Sequence, residues 1–181
     1  MKLLKMIVCC DAKNGIGKNN KLPWSDKEEI NLFKHKTIGN NNNCVIMGSK
    51  TYLSIPEKFR PLNNRKNVVL SKSLKQGDID YNATIIDKIY DIIDFMHKTN
   101  YDEYWIIGGQ TLYYFFLNHY PSYIGEIHIS ILKNEYNCDK FFPKIDLDMF
   151  KCVNIDEYGS FKHYIYRNMS SNYNRNMGCR L

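Results

Sequence analysis

Glu29 is the first residue in this chain whose position asks for a chemical explanation. Stepped at about 100° per residue, a helix through residues 27–37 gathers Lys36, Phe33, Leu32, Thr37 and Ile30 around it. Lys27, Asn31, Lys34, His35 and Glu28 fall on other faces. A carboxylate therefore sits within the apolar face of the helix. Burying it unpaired and ionised is costly, so such a group tends to keep its proton. A carboxyl held protonated near neutral pH is suited to general acid work. A Glu at the rim of the core, paired with a distant Arg or Lys, would produce the same spacing.

Other clusters carry residue types suited to anions. Gly48-Ser49-Lys50-Thr51 follows the apolar run Cys44–Met47 and opens a short helix through Ile55 that Pro56 ends. A helix start with a small residue, a Lys and a hydroxyl can hold an anion, although ordinary capping uses the same residues. Gly108-Gly109-Gln110-Thr111 stands at another helix start, where two glycines let the backbone approach a pyrophosphate. Ser71-Lys72-Ser73 offers the hydroxyls and cation that a dianion needs. Arg65 carries a planar fork that matches a carboxylate, but read alone it is equally a solvated loop charge. Gly15-Ile16-Gly17-Lys18 lacks the leading Gly and the following Ser or Thr of a P-loop. It reads instead as a flexible loop able to close over ligands.

The elements that must position these residues follow from hydrophobic patterning. Leu3–Cys10 is a near-continuous apolar run, as expected for a strand buried on both faces of a mostly parallel sheet. Ser25 is the expected N-cap of the helix that carries Glu29. Further strands are predicted at Cys44–Met47, Asn67–Leu70 and Tyr104–Ile107. Ile55–Asn67 reads as a loop, and Gln76–Thr84 as turns. Ile86, Ile89, Ile92, Ile93 and Met96 recur at helical spacing to about His97. Ile124–Leu132, Phe150–Tyr158 and Phe161–Arg167 read as strands, the last two joined by a Gly159-Ser160 turn. Residues 168–181 read as a polar, flexible tail.

The stretch Asp11–Trp24, ending Leu22-Pro23-Trp24 and leading into the Glu29 helix, resembles the signature of the dihydrofolate reductase family. The likeness runs from about Met6 to Arg167 in at least six blocks in the family's order, including Asp139-Lys140-Phe141-Phe142-Pro143. It implies one α/β domain over residues 1–167, with a central mostly parallel β-sheet, a C-terminal antiparallel hairpin and flanking helices. It implies hydride transfer from NADPH to C6 of 7,8-dihydrofolate and protonation of N5, giving tetrahydrofolate.

The resemblance also implies roles. Glu29 is the active-site acid, hydrogen-bonded by Ser130, with Leu22 and Trp24 closing the catalytic site. Ile7, Val8 and Phe33 would contact the pteridine, and Ile30, Leu32, Ile55 and Leu62 the aminobenzoyl group. Arg65 would pair with the glutamate α-carboxylate, while Thr51, Ile107 and Tyr113 complete the substrate wall. The nicotinamide would lie near Cys9, Ile16, Leu22 and Ile107, under a loop carrying Gly15, Gly17, Lys18 and Asn20. Gly48, Ser49, Lys50 and Thr51, with Gly108, Gly109, Gln110, Thr111, Leu112 and Tyr113, would grip the cofactor phosphates. Leu70, Ser71, Lys72 and Ser73 would hold the adenosine end and its 2′-phosphate. Ser49 departs from the basic residue common in the family, and Gln110 from a usually small one.

Composition agrees with this frame. A chain of 181 residues, 44% hydrophobic and 24% charged, can bury the core of one domain. Its net charge of +6 is spread along the sequence, which suits a phosphorylated small molecule better than nucleic acid. The apolar runs are too short to span a bilayer, and Met1–Lys5 lacks a signal-peptide core. A cytoplasmic monomer without membrane or nucleic-acid partners is expected. The six cysteines lack paired spacing and read as reduced thiols, and the five histidines make no metal site. Two rivals are an NADPH reductase of the same fold acting on a riboflavin-pathway heterocycle and a catalytically silent binding protein. The first should lack the Glu29 and Arg65 pair, and the second need not keep Glu29 in an apolar setting.

Overall fold

The apolar run at the N-terminus becomes the centre of a sheet, because only a central strand can bury both of its faces. In the computed structural model, residues 2–170 are described. In chain order the elements are β1 (Leu4–Cys10), β2 (Gly15–Gly17), α1 (Lys27–Ile38), β3 (Asn43–Gly48), α2 (Ser49–Ser54), β4 (Arg65–Leu70) and β5 (Ala83–Ile86). Then follow α3 (Asp91–Lys98), β6 (Tyr104–Gly108), α4 (Gln110–His119), β7 (Ile124–Leu132), β8 (Lys140–Phe141), β9 (Phe150–Glu157) and β10 (Phe161–Asn168). The main sheet runs β5-β4-β3-β6-β1-β7-β10-β9, while β2 and β8 form a separate pair. Pairing is parallel from β5 to β7 and antiparallel where β10 meets β7 and β9. This is the predicted mostly parallel sheet with a C-terminal antiparallel hairpin.

Side chains alternate across a strand, so the same strands supply two cores. Met6, Val8, Ile46, Ile106 and Ile127 pack with Ile92 of α3 and Leu112 and Phe116 of α4. Ile7, Val45, Met47, Val69 and Trp105 face the other way, toward Tyr52 of α2 and Phe33 of α1. Helices therefore cover both faces. Among the described residues, no helix is long and apolar enough to cross a membrane.

Several local expectations are corrected. The N-cap of α1 is Asp26, not Ser25: its carboxylate accepts from Glu29 N–H at 3.0 Å and also takes the Ser160 hydroxyl. A carboxylate at a helix start gains from the helix dipole as well as from the capping bond. Gly15–Gly17 is not a free loop but pairs as β2 with β8. Arg65 opens β4 rather than lying in the preceding loop. Residues 83–86 are not turn and helix: Asn67–Leu70 pair in parallel with Ala83–Ile86, which forms an edge strand. Helix α3 consequently begins only at Asp91.

Strand β10 extends one residue past Arg167. Asn168 is fully buried, donates to Pro121 O and Ile124 O at 2.9 Å each, and accepts from Ser170 N at 2.9 Å. Ending the chain at Arg167 would strip those carbonyls of their partner. Relative to a chain ending at Ser170, we expect a loss of about 2 kcal/mol, seen as a lower denaturant midpoint with unchanged slope. Cys9, Cys10, Cys44, Cys138 and Cys152 are free thiols. Cys179 and residues 171–181 lie outside the described residues.

Candidate active site

Strand β1 ends against a buried carboxylate that shapes the next turn. Asp11 accepts from Lys13 N–H at 2.9 Å, Gly15 N–H at 2.7 Å and Tyr136 N–H at 3.0 Å. Burial opposes its charge, but these three N–H groups outweigh it and hold the pKa below the ordinary value. The turn passes so close to Cys138 that a Cβ on Gly15 would lie 2.4 Å from the Cys138 Cβ. Asp139 closes the β2–β8 pair, taking Asn19 N–H at 3.1 Å. Beyond it, Leu22 is 60% exposed, and Trp24 packs against Tyr136 with ring centroids 5.2 Å apart.

Across from this turn, the first turn of α1 aims Glu29 at two strands. Its neighbours are Cys9 on β1 and Ser130 on β7, which pair with each other in the sheet. Glu29 is only 8% exposed. Burial raises its pKa from 4.5 to about 7; Ser130 and Cys9 lower it where they donate to the carboxylate, and the charge of Asp26 raises it. A carboxyl that is half protonated near neutral pH can give up a proton to a bound base.

One turn along α1 lies Phe33, with the Arg65 guanidinium 5.8 Å above its ring centre. Arg65 donates to Thr37 Oγ1 at 2.6 Å and to Asn63 O at 3.0 Å. Burial lowers its pKa to about 10, which leaves it charged at neutral pH. It makes no ion pair among the described residues. Phe33, Ile55, Leu62 and Ile107 pack on the cluster containing Ile7. The Asn67 side chain holds both the N–H and C=O of Leu62, at 2.9 and 2.8 Å. Leu32 is half-buried and Ile30 is 50% exposed.

At the carboxyl ends of β3 and β6, Met47 pairs with Gly108. Two helix starts, those of α2 and α4, meet there. A Cβ on Gly108 or on Gly109 would lie 3.2 Å from Thr51 Oγ1 and crowd it, and Gly108, at φ +133°, has a backbone conformation that strains any other residue. Gly48 and Ser49 are half-buried beside them, with Lys50 exposed. Gln110 is exposed and its Oε1 accepts from Phe141 N–H at 3.2 Å, tying α4 to β8. Leu70 ends the neighbouring strand β4 and Ser71 follows it.

Residues 3–175 match the family described as dihydrofolate reductase. The chain belongs to the dihydrofolate reductase family. It is similar to the dihydrofolate reductase of Bos taurus, with 36% identity over 158 residues, covering 83% of each protein. It is also 36% identical over 166 residues to the dihydrofolate reductase of Ureaplasma parvum serovar 3, covering 92% of this chain and 97% of that protein.

For a member of the dihydrofolate reductase family, the predicted residues fall in several places. Ile7, Cys9, Glu29, Phe33 and Ser130 converge on one side of the sheet, and Gly48, Thr51, Gly108 and Gly109 converge at its carboxyl edge. Ile16 packs half-buried against the other core, and Lys18, Asn20 and Leu22 lie along the turn outside it. Others are held by contacts of their own or stand exposed. Val8 and Leu112 send their side chains into the opposite core. Tyr113 is buried and donates to Ile7 O at 2.7 Å. The Ser71 hydroxyl accepts from Ser73 N at 3.2 Å and Leu74 N at 2.9 Å, which leaves Lys72 and Ser73 as the exposed groups of that turn, while Thr111 is exposed at the start of α4. Sequence reading missed Asp11, Asp26, His128 and His163. The two histidines were visible only as polar residues inside apolar strands, a weak signal by itself.

Proposed function

We propose that this chain transfers a hydride from NADPH to C6 of 7,8-dihydrofolate while Glu29 governs protonation of N5. The observation that carries this reading is Glu29 itself, an acidic group kept in an apolar wall with its pKa raised to about 7 by burial. The wall formed by Ile7, Phe33 and Ile107 suits a flat heterocycle. Ile55 and Leu62, with Ile30 and Leu32 of α1, would hold the aminobenzoyl group. Arg65 would bind the glutamate α-carboxylate. Leu22 and Trp24 would limit water around the reacting ring.

The residues present fit a dinucleotide. The glycine edge at Gly48, Gly108 and Gly109 has no side chain to block a pyrophosphate, and Thr51 adds a hydroxyl. NADPH, when bound, supplies the hydride. Lys50, Lys72 and Ser73 are the exposed donors suited to its 2′-phosphate. A charge-assisted contact is worth roughly 1.5–3 kcal/mol, so NADPH should be favoured over NADH by at least about tenfold. Lys72→Ala should weaken NADPH binding far more than NADH binding, as read by fluorescence titration. Equal loss with both cofactors would remove Lys72 from this role.

NADPH oxidation measured with and without dihydrofolate tests the whole reading. A reductase of another heterocycle would be silent with dihydrofolate, and a binding protein would oxidise nothing. The spread-out positive charge supports action without a nucleic-acid partner, and we infer a cytoplasmic monomer. Sedimentation over a range of concentrations tests the monomer.

A further inference from the structure

A line of buried polar side chains runs from Glu29 across the sheet to a charged cavity on the same face. Glu126, His128 and Ser130 alternate along β7 and so share a face, and His163 of β10 pairs directly with Ser130. Ser130 Oγ lies 3.1 Å from His163 Nδ1, His163 Nε2 lies 3.3 Å from His128 Nδ1, and His128 Nε2 lies 3.5 Å from Glu126 Oε2. Ser130 and His163 are fully buried and His128 nearly so. Beyond Glu126 is a cavity of about 510 Å³ whose walls include Lys5, Lys36, Glu103, Trp105 and Arg167.

The ionised end of this line sets its direction. Glu126 is held well below the usual carboxylate range by the His128 hydrogen bond, then by Lys5 at 3.2 Å and Arg167 at 3.0 Å. An ionised carboxylate only accepts, so His128 Nε2 must carry its proton. Burial keeps both rings neutral, with Lys36 of α1 acting in the same direction on each. Asp156 of β9 opposes this at His163, as Glu126 does at His128, while Lys5 adds to it at His128, and the Trp105 ring lies 5.0 Å from the His128 ring. A neutral imidazole donates from one nitrogen and accepts at the other. His128 Nδ1 therefore accepts from His163 Nε2–H, and His163 Nδ1 accepts from the Ser130 hydroxyl. That hydroxyl has one proton, so toward Glu29 it presents lone pairs. Reversing the line would require a second proton on His128, beside Lys5 and Lys36.

We propose that His163 and His128 are positioning residues that turn the Ser130 hydroxyl away from Glu29, so that Ser130 accepts from the carboxyl and favours its protonated form. The proposal rests on Glu29 being the acid of the reaction. Besides Ser130, Asp26 and Cys9 face Glu29, and the thiol of Cys10 and the phenol of Tyr113 also lie within reach of its charge. The family resemblance predicts the Ser130 contact, and the histidines decide which way its proton points.

Pre-steady-state hydride transfer measured against pH tests this. His163→Leu frees Ser130 to donate to the carboxylate, so the apparent pKa should fall by about one unit, with the KM for dihydrofolate at acid pH unchanged. His163→Asn, whose Oδ1 can accept in place of Nδ1, should restore most of the shift. In a Ser130→Ala background, His163→Leu should cause no further shift. An unchanged pKa in His163→Leu, or the same shift without Ser130, overturns the proposal. Nitrogen-15 spectra of histidine-labelled wild-type protein give an answer that does not depend on the variants folding. Both rings should be Nε2–H tautomers, and an Nδ1–H or cationic His163 overturns the proposal. If Glu29→Gln keeps the wild-type pH profile, the proposal falls through its premise; if that profile changes while His163 is Nδ1–H, it falls on its own.

Discussion

Glu29→Gln is expected to slow hydride transfer at neutral pH by roughly a hundredfold or more, the usual scale for losing a positioned acid. The amide keeps the shape and hydrogen bonds of the carboxyl but cannot supply a proton. In the wild-type protein the rate should fall as pH rises through about 7, the value to which burial lifts this group. In Glu29→Gln that step should vanish, and acid should restore part of the rate by protonating the substrate in solution. Glu29→Asp should retain more activity, because an acid remains at longer reach. Stability should move the opposite way. The folded state holds this proton more tightly than the unfolded chain, at about 7 against 4.5. Its stabilising contribution is therefore complete below about 4.5 and lost as pH rises through about 7. Above pH 8, Glu29→Gln should be the more stable protein by on the order of 2 kcal/mol, and the gap should close near pH 5. Single-turnover kinetics and denaturant melts across that range measure both effects. A variant with the wild-type rate and profile would make the buried carboxyl structural.

Glu29 could be found in the sequence because its anomaly is local: one helix wheel shows a charge on an apolar face. The parallel strands were legible for a similar reason, since Met6–Val8, Val45–Met47 and Trp105–Ile107 are apolar enough to be buried on both sides. Ala83–Ile86 was not, because Ile86 and Ile89 extend the helical spacing of Ile92 and Met96 backward. The deciding contact, the Asn67↔Ala83 register, is tertiary. The N-cap was missed because Ser25 and Asp26 are both good caps by type. The Ser160 hydroxyl, 134 residues away, donates to Asp26 and helps to anchor it there, a contact that local spacing does not reveal. His163 was the hardest to interpret, because its meaning depends on a cross-strand partner that spacing cannot supply.

Arg65→Ala is expected to raise the KM for dihydrofolate by about tenfold to a hundredfold with little change in kcat. Arg65 carries five N–H donors, of which one goes to Thr37 Oγ1 and one to Asn63 O. Three remain without a protein partner among the described residues, on a half-buried group that stays charged at neutral pH. A buried charge without a counter-ion is destabilising unless a ligand completes it. Phe33 beneath and Thr37 beside it fix the plane of the fork, so the unused donors can meet both oxygens of one carboxylate. Such a contact is worth roughly 1.5–3 kcal/mol, felt equally in ground and transition states because it lies far from the reacting ring. That is why the loss should appear in KM and not in kcat. A pterin lacking the glutamate tail should be reduced equally well by both proteins. Arg65→Lys should recover only part of the affinity, since a point charge cannot span both oxygens. Thr37→Val should give a smaller loss, by releasing the fork without removing it. If the tailless pterin loses as much as dihydrofolate in Arg65→Ala, then Arg65 supports the β4 edge rather than binding the carboxylate.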